Sequence, residues 1–249
     1  MNVVAALPKG LAFGFLAFAI DCGDGGEATD AGPDVGASDA RVDATADATG
    51  DATADASDAA ADAPIDAPLD ANLSPTSQQI LAVRNAASSS QDAGALALPI
   101  DGATVTYVKP LVGNEPAGFF IQAEKTGPAI FVAVDPSTLS PAPVAGDQVS
   151  FTVTGATSVS FLREVTSLTA FARTAQGVPL APLLQDVSSA SDLVSNVEGY
   201  ESEYVTLGAT VKSPFGTVQT GFAQAQIETT GLTGNAALNL RLRTPQTVK

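Results

Sequence analysis

The sequence predicts a mainly β protein. It expects a five-stranded unit with a short helix and part of a second β unit, behind a long disordered N-terminal segment. Three observations carry this. From Thr104 onward, short runs alternate apolar residues with hydroxyls between Gly, Pro and Asp punctuation, the pattern of strands with one buried face. The tetrapeptide Gly102-Ala103-Thr104-Val105 recurs as Gly208-Ala209-Thr210-Val211. Charge is unevenly divided, since residues 21–73 carry −13 of the net −16.

Residues 1–22 read as an export signal. Lys9 precedes the apolar run Leu11 to Ile20, which is half of the roughly 20 residues a helix needs to cross a bilayer and suits the core of a signal peptide. Two processing routes are open. Ala17-Phe18-Ala19 has the small-x-small form of a signal-peptidase site, with Ile20 as the mature start. Alternatively Cys22, the only cysteine, is lipidated. Cys22-Gly23-Asp24-Gly25-Gly26 ahead of an acidic stretch resembles bacterial envelope lipoproteins. That resemblance implies a lipid anchor in a membrane and an outer-membrane or extracellular location. Ile20 and Asp21 depart from the small residues such signals place before the cysteine. Without export, the start codon would lie upstream of the true one.

Residues 23–73 form an acidic, Asp/Ala-rich linker. Aspartates fall at 43, 47, 51 and 55, then at 58, 62, 66 and 70. Acids spaced i, i+4 on a helix would repel, Gly50, Pro64 and Pro68 interrupt the run, and there is no apolar stripe to bury. The expectation is a disordered, self-extended tether. Ordered calcium loops place ligands at alternate positions around a glycine turn, which a spacing of four does not reproduce.

Residues 74–94 hold a short helix and its connection. Ser74 can cap, Pro75 suits the first helical position, and Ile80, Leu81, Val83 and Ala87 line one side. Strands follow at Thr104–Lys109, Phe119–Gln122 and Ala129–Val134. Val149–Gly155, introduced by a Gly146-Asp147 turn, is the clearest. Val159 to Phe171 suggests a hairpin, Leu183 to Val194 a short helix, and Tyr204–Leu207 a last strand.

This order resembles the OB-fold domain attached to secreted bacterial nucleases and surface proteins. The matching residues are Gly118-Phe119-Phe120-Ile121-Gln122, Ala129 to Val134, Gly146-Asp147-Gln148-Val149 with Val153-Thr154-Gly155, and Glu198-Gly199-Tyr200-Glu201 before Val205. The resemblance covers roughly 95–207 and implies an OB-like five-stranded barrel, one face of which can bind oligonucleotides or oligosaccharides.

Residues 208–249 read as a partial second OB-like unit. Besides the Gly-Ala-Thr-Val match, Gly118-Phe119 recurs as Gly221-Phe222, Thr126-Gly127 as Thr230-Gly231, and Pro136 as Pro245, in order. Leu238, Leu240 and Leu242 alternate with Asn239, Arg241 and Arg243. Half a barrel leaves an open edge, so either the chain is truncated at Lys249 or this tail docks on the first barrel.

Chemistry is constrained mostly by exclusion. With no histidine there is no Ser-His or Cys-His pair, and no nucleophile elbow or phosphate-binding Gly-rich loop occurs. No cofactor, metal site or enzymatic role is expected. The acids Glu198, Glu201 and Glu203 read as a solvated edge. Residues 101–206 carry 11 acidic and four basic residues, a balance unfavourable to phosphate neutralisation, so nucleic acid is not the expected partner. The candidate ligand face is Tyr107, Phe119, Lys125, Arg163 and Arg173, with an unidentified protein or carbohydrate as partner. Two readings result. One is a non-enzymatic, exported cell-envelope protein displaying an OB-like domain. The other is an OB-type oligonucleotide or oligosaccharide binder, a fragment of a larger nuclease-like protein.

Overall fold

The structure, a computed structural model, describes residues 73–88, 96–160 and 162–246. Residues 1–72, which hold the expected export signal, Cys22 and nearly all of the acidic segment, lie outside the described residues.

Among the described residues there is one α-helix, α1 (Pro75–Ser88), ahead of the strands. Ser74 starts it: its Oγ accepts the Ser77 N–H at 3.3 Å, the geometry of an N-cap. The helix buries Ser77, Ile80, Val83, Arg84 and Ala87, a stripe at helical spacing.

Five strands follow: β1 (Leu98–Lys109), β2 (Gly118–Gln122), β3 (Ala129–Val132), β4 (Gln148–Val159) and β5 (Leu162–Ala175). They close into a barrel in the order β1-β2-β3-β5-β4. All pairings are antiparallel except β3 with β5, where Phe131 lies opposite Glu164 and Val132 opposite Val165. This is the expected OB-like barrel. Its interior holds Ile100, Val105, Phe119, Ile121, Ile130, Val149 and Val153, each wholly buried, and Ile80 and Val83 of α1 pack into the same cluster.

Two features differ from the sequence expectation. The helix expected over Leu183 to Val194 does not form, and the barrel is closed by β5. The Tyr204–Leu207 run falls outside it, as β7 (Val205–Thr206) paired parallel to β6 (Gln185–Asp186). The segment expected to hold a short helix forms instead a 3-10 turn at Ala181–Leu183, then β6 and irregular turns. The reason lies in β5. Its core-facing residues Val165, Leu168 and Phe171 recur every third position rather than every second. Four register shifts in the β4–β5 ladder and a positive φ of 53° at Ala170 absorb the mismatch.

The second unit contains β8 (Ala209–Val211), β9 (Gly216–Gln219), β10 (Phe222–Thr229) and β11 (Arg241–Pro245). Its pairing repeats that of the barrel. Thr104 lies opposite Gln122 and Val105 opposite Ile121. Thr210 lies opposite Glu228 and Val211 opposite Ile227. Each residue is 106 positions beyond its counterpart, so the register is the same in both copies. Among the described residues the second copy comprises the β1–β2–β3 meander. Its apolar face does not stay open: Ile227 and Leu240 are buried in a separate core with Val187 and Leu193 from the connecting segment.

The two units meet at the β1–β2 loop. Glu115 accepts from Lys109 at 3.5 Å and from Arg243 at 2.5 Å. Lys109 sits over the Phe131 ring and Arg243 over that of Phe222. Gly113, with φ of 58°, lies so close to the Thr220 carbonyl that an added Cβ would fall 2.0 Å from its oxygen. The tail therefore docks on the barrel's loop.

Candidate functional site

An OB-like barrel offers ligands the outer face of its second and third strands and the flanking loops. Here the outward aromatics are Tyr107, Phe120 and Phe131, with ring centroids 6.3 Å apart for the first pair and 4.7 Å for the second. Every residue of β2 and β3 is buried, Phe120 and Phe131 included. The β1–β2 loop is held by the second unit. The usual platform is thus covered.

The sequence-predicted face is not one face. A bulge between Val105 and Tyr107 changes the alternation along β1. Val105 points in, Tyr107 out beside Phe120, and Val108 packs inward opposite Phe119. Phe119 is wholly buried in the barrel core against Phe171. Lys125 is exposed on the β2–β3 loop. Arg163 and Arg173 stand near opposite ends of β5. Each is paired, Arg173 with the buried Asp147 at 3.3 Å and Arg163 with Glu198 and Glu201.

A concavity lies elsewhere, beside α1. It is about 550 Å³ and is bounded by Leu81 and Arg84 of α1, Gly127 and Pro128 of the β2–β3 loop, Gln185 of β6, and the 196–203 segment. Its polar frame is the glutamate cluster that reads in sequence as a solvated edge. Glu198 is exposed, but the Glu201 side chain is only 9% exposed and bridges two arginines, at 2.9 Å from Arg84 Nη2 and 2.6 Å from Arg163 Nη1. Its other oxygen accepts the Arg163 N–H. Arg84 also donates to the Glu198 carbonyl at 2.7 Å and the Ala129 carbonyl at 3.5 Å. Arg163 also donates to Ser88 Oγ and the Glu198 carboxylate.

Burial lowers the pKa of Arg84, against Glu201, which raises it. For Arg163 burial works against the charge, but Glu198 and Glu201 more than offset it and hold the pKa above its ordinary value. Glu203 differs. Burial pushes its carboxyl up to about 7, against the Gly127 N–H and Arg84, which pull it down. One oxygen accepts that N–H at 3.3 Å; the other is buried without a partner, as is the Gln185 side-chain oxygen. Tyr200 lines the wall, its pKa pushed up to about 12 by the hydrogen bond to Asp192.

No family model, curated protein or solved structure matches the chain. The reading of the site therefore rests on its own geometry. Among the described residues no group of three or more His, Cys, Asp or Glu could hold a metal ion, and no helix is long and apolar enough to cross a membrane.

Arg84 is the residue that sequence reasoning missed. The signal was available: it lies four residues after Ile80 and three before Ala87, on the apolar face of the helix. A cation in that stripe requires a buried acid.

Proposed function

We propose that this chain is an exported, non-enzymatic cell-envelope protein whose acidic segment holds out the folded part for a protein or carbohydrate partner. The observation that carries the reading is the order of parts. A Lys9-led apolar run and Cys22 come first, then a stretch holding −13 of the net charge, then the folded residues. A strongly acidic stretch extends by self-repulsion and suits a spacer. The covered barrel platform supports a role other than oligonucleotide binding, since stacking aromatics must be reachable by bases. So does the acidic balance of the barrel region, because nucleic-acid affinity is dominated by phosphate neutralisation.

Mass spectrometry of the native N-terminus from an envelope fraction tests the export reading. An acylated Cys22 or a chain starting at Ile20 supports it. An unprocessed Met1 terminus in the cytosolic fraction overturns it. A salt-dependent mobility shift with single-stranded DNA at low ionic strength would overturn the exclusion of nucleic acid.

A further inference from the structure

We propose that the pocket beside α1 binds a primary alkylammonium group. The argument is an inventory of unused hydrogen-bonding capacity. Two arginines border the pocket, which at first suggests an anion site. Three of the five side-chain N–H groups of each are already committed, those of Arg163 to Glu201, Glu198 and Ser88, and those of Arg84 to Glu201 and two backbone carbonyls. A phosphate or carboxylate would face repulsion from Glu198 and Glu201, which already neutralise these cations. What remains buried and unpartnered is acceptor capacity. Gln185 and Glu203 both line the pocket, and each holds a buried side-chain oxygen with no partner. The Gln185 N–H bonds the Tyr204 carbonyl at 3.1 Å, which sets Gln185 beside the segment that carries Glu203. Orphaned buried acceptors cost free energy until a donor arrives.

An ammonium brings three donors and a positive charge. The charged groups of the frame are Arg84, Arg163, Glu198, Glu201 and Glu203, which sum to −1 when Glu203 is ionised. One monovalent cation neutralises them. Leu73, Leu81, Pro128 and Tyr200 supply an apolar wall for an aliphatic stem, and the volume is within the range of small-ligand pockets, about 300–1,000 Å³.

Binding is coupled to a proton. Glu203 faces Arg84 from α1, the Gly127 N–H from the β2–β3 loop, which also holds Glu124 and Lys125, Gln185 from β6 and Arg163 from β5. Glu198, Tyr200 and Glu201 belong to its own segment. Without ligand its carboxyl is half-protonated near neutrality. An arriving ammonium favours the carboxylate, and the carboxyl proton leaves to solvent.

The test uses the full chain, with 1,5-diaminopentane and Nα-acetyl-lysine methylamide as probes, titrated calorimetrically at pH 6 and pH 8 in buffers of different ionisation enthalpy. The expected result is saturable one-to-one binding, tighter by about tenfold at pH 8, with nearly one proton released per ligand at pH 6. Glu203→Gln removes both the pH dependence and the proton release. Gln185→Leu weakens binding and leaves the pH dependence in place, which keeps the test informative if the first variant folds poorly. Tighter binding of the diamine assigns a free small amine, and tighter binding of the lysine amide a partner's side chain; either supports the proposal. No saturation by about 10 mM, unchanged binding in Glu203→Gln, or preferred binding of inorganic phosphate would overturn it. None of these outcomes depends on where the protein resides, so the export reading is judged separately.

Discussion

Replacing Glu201 with alanine removes the shared counter-ion of Arg84 and Arg163. The Glu201 and Arg84 side chains are each only 9% exposed and Arg163 is 16% exposed, so water does little to compensate. Arg163 already lowers the Arg84 pKa, so the two cations would face each other unneutralised. Removing one partner of a buried pair costs about 3–5 kcal/mol, because the other charge is left buried. The double replacement Arg84→Met with Glu201→Leu removes both charges of the inner pair. It leaves the Ala129 and Glu198 carbonyls without the Arg84 donor and the Arg163 backbone N–H without its Glu201 acceptor, at about 1 kcal/mol each. The double variant should therefore be destabilised by about 3 kcal/mol, with Arg163 still held by Glu198, and no more than Glu201→Ala alone. Urea unfolding followed by far-ultraviolet circular dichroism measures both. A cost below about 1 kcal/mol for Glu201→Ala, or a double variant worse than the single one, would refute the assignment of Glu201 as the buried bridge.

Three further outcomes are expected. The Glu203 pKa rises from 4.5 unfolded to about 7 folded, so ionising it costs the fold. Stability falls as pH rises from about 4.5 to about 7, by about 1–2 kcal/mol after allowing for a partly wet side chain, and Glu203→Gln should flatten that slope in urea titrations at pH 5 to 8. Phe119→Ala opens a cavity in the barrel core and should cost about 3–5 kcal/mol, visible as a lower urea midpoint. Gly231→Ala would place a Cβ 2.3 Å from the Ala190 carbonyl oxygen and 2.4 Å from that of Ser189. The segment covering the second core must then shift, and amide hydrogen exchange around Ile227 and Leu240 should quicken while the barrel strands stay protected.

Much of the fold was legible because strand alternation is a local signal. Val149, Phe151 and Val153 alternate with hydroxyls in the sequence and bury on one side in the barrel. The recurrence of Gly-Ala-Thr-Val pointed to a second unit, and the shared pairing register bears that out. What escaped was phase. The bulge at Thr106 sends Tyr107 outward, while Phe119 on β2 points inward, so a face assembled from aromatic residues in sequence mixed core with surface. On β5 the bulges turned a period of two into three, which hid the closing strand.

The site was less legible, for a different reason. Arg84 and Glu201 are 117 positions apart, and no local pattern relates them. Composition alone bears on the broad class: no histidine to act as a base, acidity gathered in one stretch, strands with one apolar side. Only the tertiary structure decides that the connecting segment covers the second meander and that the tail takes the barrel's loop. It also decides that, of three glutamates on an apparent edge, Glu201 and Glu203 turn inward while Glu198 stays exposed. Burial and charge pairing depend on which distant elements pack together, and the free energy of a carboxylate is set by that packing rather than by its neighbours in the chain.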